Sequence, residues 1–222
     1  MAKVEAAEGS RTERRKAHTR VALIRATQTL IAAGKFNVPV LEITQAADVG
    51  LGSFYNHFGS KEQLYQAAFD DAMEAHGQLL DELTGDLEDP AETFAQSVRF
   101  TGRLFRREPE LGRMLLHNAL SLLTARHGLA PRILRDIAAA TAAGRFTVRD
   151  PDLALVLTAG AVIALGQLLY DRPDRDDAND TDDVAEDLLR TFGVSAEQAR
   201  EICHRPLPDL NTFNRPFGGP PV

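Results

Sequence analysis

The stretch Val49–Leu64, VGLGSFYNHFGSKEQL, gathers groups that bind by hydrogen bonding rather than by making covalent bonds. Ser53 brings a hydroxyl, Tyr55 a phenol, Asn56 an amide, His57 an imidazole and Lys61 an ammonium. Hydroxyl, phenol and ammonium suit phosphate oxygens, while amide and imidazole suit the base edges of a groove. Gly50, Leu51 and Gly52 precede them, and the glycines remove side-chain bulk where a backbone or groove must come close. His57 fits either groove contact or local packing. No nucleophile motif accompanies these residues. The six histidines (His18, His57, His76, His117, His127, His204) do not fall at metal-ligand spacing. The single cysteine, Cys203, excludes an internal disulfide framework and a four-thiolate zinc site and reads as a packing residue. The expectation is a binding protein with no catalytic residues, cofactor or metal.

Something must hold these groups in place, and the flanking pattern is helical. Val21, Ile24 and Ile31, widened by Leu23, Thr27 and Leu30, predict a first helix from Arg11 to Ala33, stopped by Gly34. A second runs from about Pro39, at the first helical position, to Ala47, with Ile43, Ala46 and Ala47 inward. A break follows at Asp48-Val49-Gly50, where Asp48 tolerates a left-handed conformation and Gly50 tolerates it better. A third spans roughly Leu51–Phe58. Ser60 and Gln63 then form a capping box that opens a fourth helix reaching Leu83, with Leu64, Ala68, Ala72, Ala75, Leu79 and Leu83 on one face. Ile43, Ala47, Val49, Phe54 and Phe58 would make the small core of a helix-turn-helix.

The segment LEITQAADVGLGSFYNHFGSKEQLYQA resembles the DNA-binding domain of the TetR family. Ile43, the pair Ala46-Ala47, Val49, Gly52, the FYNHF block and SKEQL carry the likeness, which extends from Val21 to about Ala68. The resemblance implies an all-helical homodimer. It implies N-terminal domains that bind a palindromic double-stranded operator, and a C-terminal domain that binds a small effector and so releases DNA. Gly50, Leu51, Gly52, Ser53, Tyr55, Asn56, His57 and Lys61 are the expected DNA-facing residues. Three positions depart from the family pattern. Pro39 stands where a phosphate-touching Thr is usual, Asp48 for the turn Gly, and Gly50 for a capping Ser. These departures leave a second reading, a helical ligand-binding or protein-interaction module that no longer binds DNA.

Charge is divided unevenly along the 222 residues. Residues 1–61 hold nine Lys/Arg against five Asp/Glu, a net of +4, so the remainder carries −11 of the total −7. A basic head can seek phosphate even in an acidic chain. Arg11–Lys16 reads either as a basic arm or as a solvated helix start. Residues 11–61 are thus the expected helix-turn-helix domain, 62–204 a larger helical ligand-binding and dimerisation domain, and 205–222 a Pro/Gly-rich tail. The later helices are predicted at Ala91–Arg107, Glu110–Thr124, Arg132–Ala143, Asp152–Tyr170, Asp182–Phe192 and Ala196–His204. Leu153–Tyr170 is apolar on nearly all sides but short for a membrane span, and fits a core or subunit-interface helix better. Leu153, Leu157, Ala161, Leu168, Val184, Leu188 and Phe192 are expected to face a symmetry mate in a four-helix bundle. Phe100, Arg103, His117, Asn118 and Leu120 are the expected effector contacts, set among apolar residues that include Phe94, Leu115 and Val162. The absence of an apolar leader in the first residues, with a lone thiol, predicts a cytoplasmic protein.

Overall fold

A computed structural model describes residues 2–119 and 126–208. Within them every regular element is an α-helix: α1 (Ala2–Ala32), α2 (Val40–Ala46), α3 (Leu51–Tyr55), α4 (Lys61–Thr84), α5 (Pro90–Arg107), α6 (Pro109–His117), α7 (Leu129–Ala142), α8 (Pro151–Asp171), α9 (Asp177–Thr191) and α10 (Ala196–Cys203). The chain divides into two compact units between Ala72 and Met73, inside α4. Leu64 and Ala68 belong to the core of the first unit, so that unit reaches past residue 61.

In the first unit, α1, α2, α3 and the start of α4 enclose Leu23, Ile24, Val38, Ile43, Phe54, Phe58, Leu64 and Ala68. Gln28 of α1 donates to the Ala68 carbonyl (3.0 Å) and to Asp71 (2.9 Å), fixing α1 against α4. Several local expectations are corrected. α1 begins at Ala2, well before Arg11, because its Ala, Glu, Lys and Arg residues are good helix formers without any apolar stripe. Val21 is 44% exposed and Ala46 is exposed, so neither lies on the inward face. Pro39 is the N-cap of α2, with extended backbone, and its carbonyl accepts from Glu42 and Ile43. Asp48, not Gly50, takes the left-handed turn: its φ is 53°, whereas Gly50 has φ −68°. Asp48 thereby lets Val49 N–H reach back to the Thr44 carbonyl (2.9 Å) and close α2. α3 stops at Tyr55 because the His57 and Phe58 amides both fold back onto the Phe54 carbonyl. At the start of α4, Ser60 Oγ accepts from Gln63 N–H as expected, but the Gln63 side chain accepts from Gly59 N–H rather than from Ser60.

The second unit is built around α5, which packs against α6, α7, α8, α9 and α10. At Gly102 a Cβ would come within 2.3 Å of Thr181, so α5 and α9 can meet there only without a side chain. Arg99, 3% exposed, grips Asp182 of α9 with two bonds (2.7 and 3.1 Å) and donates to the Arg205 carbonyl (2.9 Å). Phe94, Phe146 and Phe192 form a ring cluster with centroids 5.3–5.6 Å apart. Phe192 and Leu188 are therefore buried inside the unit instead of facing a symmetry mate. α8 alone among the described helices is long and apolar enough to cross a membrane, with 44% of its apolar window buried. Ala154, Leu155, Thr158, Val162, Leu165 and Leu169 face the core, while Leu153, Val156, Leu157, Leu168 and Tyr170 are exposed. Cys203 is fully buried, and burial pushes its thiol up to about 12.

Three outcomes follow from this packing. Phe54→Ala empties a fully buried site and is expected to cost about 3–5 kcal/mol, seen as early melting of the first unit in denaturant titration. Asp48→Gly relieves a left-handed non-glycine and is expected to raise stability by about 0.5–1 kcal/mol in the same titration. His76 is buried with Nε2 3.2 Å from Thr101 Oγ1 and Nδ1 unpartnered, and burial, aided by the Arg132 charge, lowers its pKa to about 4. An unfolded chain takes up this proton first, so the contribution of neutral His76 is whole above pH 6.5 and is lost as pH falls toward 4. Calorimetry should show a falling melting temperature across that window, with a shallower slope in His76→Leu.

Candidate nucleic-acid interface and core cavity

The five residues of α3 divide cleanly by side. Phe54 is fully buried, packed edge-on to Tyr55 (5.0 Å) and against Phe58 (6.0 Å). Arg20 of α1 lies over the outer face of the Phe58 ring at 4.5 Å. Gly50, Leu51, Gly52, Tyr55 and Asn56 are exposed, and Ser53, His57 and Lys61 are partly so. Tyr55 at 63% exposure does not serve the core. A Cβ at Gly50 or at Gly52 would meet nothing within 4 Å, and neither residue has positive φ. Nothing inside the unit requires glycine at either position. Lys61, at the start of α4, donates to Asn37 and sits 6.0 Å from the Tyr65 ring, so any phosphate contact would compete with a local bond.

The second unit contains a cavity of about 50 Å³, several times what one water requires. Its wall is mostly apolar, with Leu80, Phe94, Val98, Leu115, Leu155 and Val162 contributing. Phe94, Leu115 and Val162 are among the apolar residues expected near an effector. The expected polar contacts lie elsewhere. Phe100 is buried but does not line the cavity, and Arg103 is engaged with Asp182 (2.8 Å) and the Ala178 carbonyl. His117 is exposed, and half-buried Asn118 donates to the Met114 carbonyl (2.8 Å). Leu120 lies outside the described residues.

The polar part of the wall is instead Arg132, Arg135 and Asp136 of α7, with Ser97, Thr101 and Thr158. The three α7 residues occur at i, i+3 and i+4 and so share one helix face. Arg132 donates to Glu74 through two nitrogens (2.9 and 3.1 Å) and to Asp81 through Nε (2.8 Å). Its guanidinium lies across Gly77, where a Cβ would be 2.7 Å away. Arg135 joins the other Asp81 oxygen (2.7 Å) to Asp136 (2.8 and 2.9 Å). Hydrogen bonding to Arg132 holds the Glu74 carboxyl down at about 2. Burial pushes Asp81 up, but the two guanidiniums outweigh it and leave its carboxyl below the ordinary range. At Asp136, burial wins over the Arg135 bonds and its pKa lies above the ordinary value. This cluster was missed in the sequence, although one signal was present: charged residues at helical spacing in PRILRD, ahead of an alanine-rich run. Among the described residues no group of three or more His, Cys, Asp or Glu is placed to hold a metal ion.

Residues 23–68 match the model of the bacterial regulatory proteins of the tetR family, and residues 89–205 match a tetracyclin repressor-like C-terminal domain. Among solved structures, RolR in complex with resorcinol is 38% identical, with a TM-score of 0.75 over 88% of this chain and 98% of that one. RolR without ligand is 39% identical, with a TM-score of 0.74 over 86% and 98%. A tetR family transcription regulator from Shewanella sp. PV-4 (18% identity, TM-score 0.64, 80% and 99% covered) shares the fold. So does FadR from Bacillus subtilis in complex with stearoyl-CoA (16% identity, TM-score 0.59, 76% and 97% covered). Among curated proteins none matches the chain. With an all-helical build, a helix-turn-helix at its head and a repressor-like domain over more than half its length, the chain belongs to the TetR family of transcriptional regulators.

Proposed function

We propose that the chain is an effector-responsive repressor that binds a palindromic operator as a homodimer and leaves it when a small molecule occupies the second unit. In this reading the DNA-binding domain expected over 11–61 extends through Ala72, with Gly50, Leu51, Gly52, Ser53, Tyr55, Asn56, His57 and Lys61 at the duplex. The second unit, from Met73 on, is the effector and dimerisation domain, and the protein works in the cytoplasm as a binder rather than an enzyme.

The observation that carries the proposal is the two-sidedness of α3. Phe54 inserts fully into the core, while the neighbouring glycines are open, unstrained and without internal purpose. Close approach to an external backbone is the remaining physical reason for them. For dimerisation, α8 supports the reading with an exposed stripe of Leu153, Val156, Leu157, Gly160, Ala164 and Leu168. Small residues in mid-stripe let a second copy of the helix come near, and two apolar faces then cover each other. RolR, solved with and without resorcinol, is the relative whose ligand suggests a small effector here. Release would be a population shift, needing an effector affinity that differs between the two states by about 1–3 kcal/mol.

The test is selection of genomic fragments by the purified protein, followed by titration of an enriched duplex. Affinity should fall steeply with salt. Gly52→Ala should raise the stability of the first unit by up to about 1 kcal/mol, yet weaken operator binding more than tenfold (about 1.4 kcal/mol). Tyr55→Ala should leave melting nearly unchanged and also weaken binding. If no fragment is enriched, or if Gly52→Ala binds as tightly as wild type, α3 is not the DNA-reading element.

A further inference from the structure

The ionic cluster on the cavity wall is unbalanced, and the imbalance selects a ligand. Three carboxylates (Glu74, Asp81, Asp136) surround two guanidiniums (Arg132, Arg135). Each nitrogen of Arg132 already donates to a carboxylate, and so does each nitrogen of Arg135. With three carboxylates to two guanidiniums the cluster is net negative, which disfavours a further anion. Asp136 is 5% exposed, and both bonds from Arg135 go to its Oδ1. Its Oδ2 accepts no hydrogen bond among the described residues, although Asp136 lines the cavity. That oxygen is not one of the buried polar atoms left without a partner, so it stays accessible to an incoming group. A ligand that brings a donor to it can fill lone pairs that no described residue uses. The rest of the wall is apolar, and the hydroxyls of Thr101 and Thr158 already donate to the Ser97 and Ala154 carbonyls.

We propose that the cavity binds a small, neutral, single-ring-sized molecule bearing a hydroxyl, with Asp136 Oδ2 accepting that hydroxyl's proton in a hydrogen bond and the apolar wall covering the ring. Asp136 is the specificity-determining residue, and Arg135 orients it. The site excludes carboxylates and acyl thioesters of long chains: the former meet the surplus negative charge, and the latter exceed the cavity. This assignment rests on the effector-responsive reading of the second unit.

Calorimetric titration of the full-length protein with a matched panel tests it: phenol and the benzenediols as donors, anisole as an acceptor without a donor, benzene as the bare ring, and benzoate as the anion. Hydroxylated rings should bind at least tenfold more tightly than anisole or benzene, and benzoate should not bind measurably. Asp136→Asn keeps size and shape but turns a donor toward the ligand. It should cut phenol and benzenediol affinity about 10–100-fold while leaving the weak affinity for benzene unchanged, a split that a loss of packing would not produce. Equal affinity for anisole and the hydroxylated rings, tighter binding of benzoate, no binding of any hydroxylated ring, or wild-type binding by Asp136→Asn would each overturn the assignment. Adding the bound ring to the protein–operator complex separates the two readings. Binding that obeys the panel but leaves DNA affinity unmoved sinks the regulatory reading and keeps this one. Operator binding by a protein that ignores every hydroxylated ring does the reverse.

Discussion

A helix of five residues makes too few internal hydrogen bonds to persist by itself, so α3 exists only because Phe54 is driven into the apolar core between α1, α2 and α4. That one buried ring orients every polar group around it. With Phe54 inward, Tyr55 and Asn56 must project outward, and Leu51 and Gly52 come to the surface on the preceding turn. The left-handed Asp48 sets the path by which the chain leaves α2 and enters α3. Local strain and core burial together therefore determine what the unit shows to its surroundings.

The second unit solves a different problem, the burial of charge. Arg99 and Asp182 fasten α5 to α9 in nearly dry surroundings, with a backbone carbonyl taking the remaining guanidinium nitrogen. Such a pair gives little net stability over an apolar equivalent, but removing one partner strands the other. Arg132 is treated similarly by Glu74, Asp81 and the open ledge at Gly77. The difference lies in completeness. Around Arg99 both Asp182 oxygens and a backbone carbonyl take its donors, whereas on α7 one oxygen of the cavity-lining Asp136 takes no bond from a described residue. Matched clusters hold helices together, and the mismatched one invites an occupant.

The helical build and the position of the recognition segment were legible because they rest on local chemistry: apolar spacing around Ile43, Phe54 and Phe58, and the Ser60 cap ahead of α4. Single-residue conformations were less so. Asp48 and Gly50 are two residues apart, and choosing which one turns left-handed depends on how α2 closes onto Thr44, not on propensity. The cavity was read by composition, which found apolar liners such as Phe94 and Leu115 but not the polar ones. Arg103 looked available because Asp182 is remote in sequence, and Asp136 went unnoticed because nothing in sequence shows that α7 turns that face inward. Leu188 and Phe192 were assigned to a subunit face for the same reason: both are buried within the unit, and the ring neighbours of Phe192, Phe94 and Phe146, lie far away along the chain.

The bare stripe on α8 bears on how much of this protein a cell must keep. Pairing that hides such a surface is governed by mass action, so a chain made in few copies stays paired only if its dissociation constant lies below its own intracellular concentration. If copies pair through α8 as proposed, a shallow, easily wetted seam would leave scarce copies as single chains, and the long apolar stripe of α8 would be what keeps a low-abundance pair together.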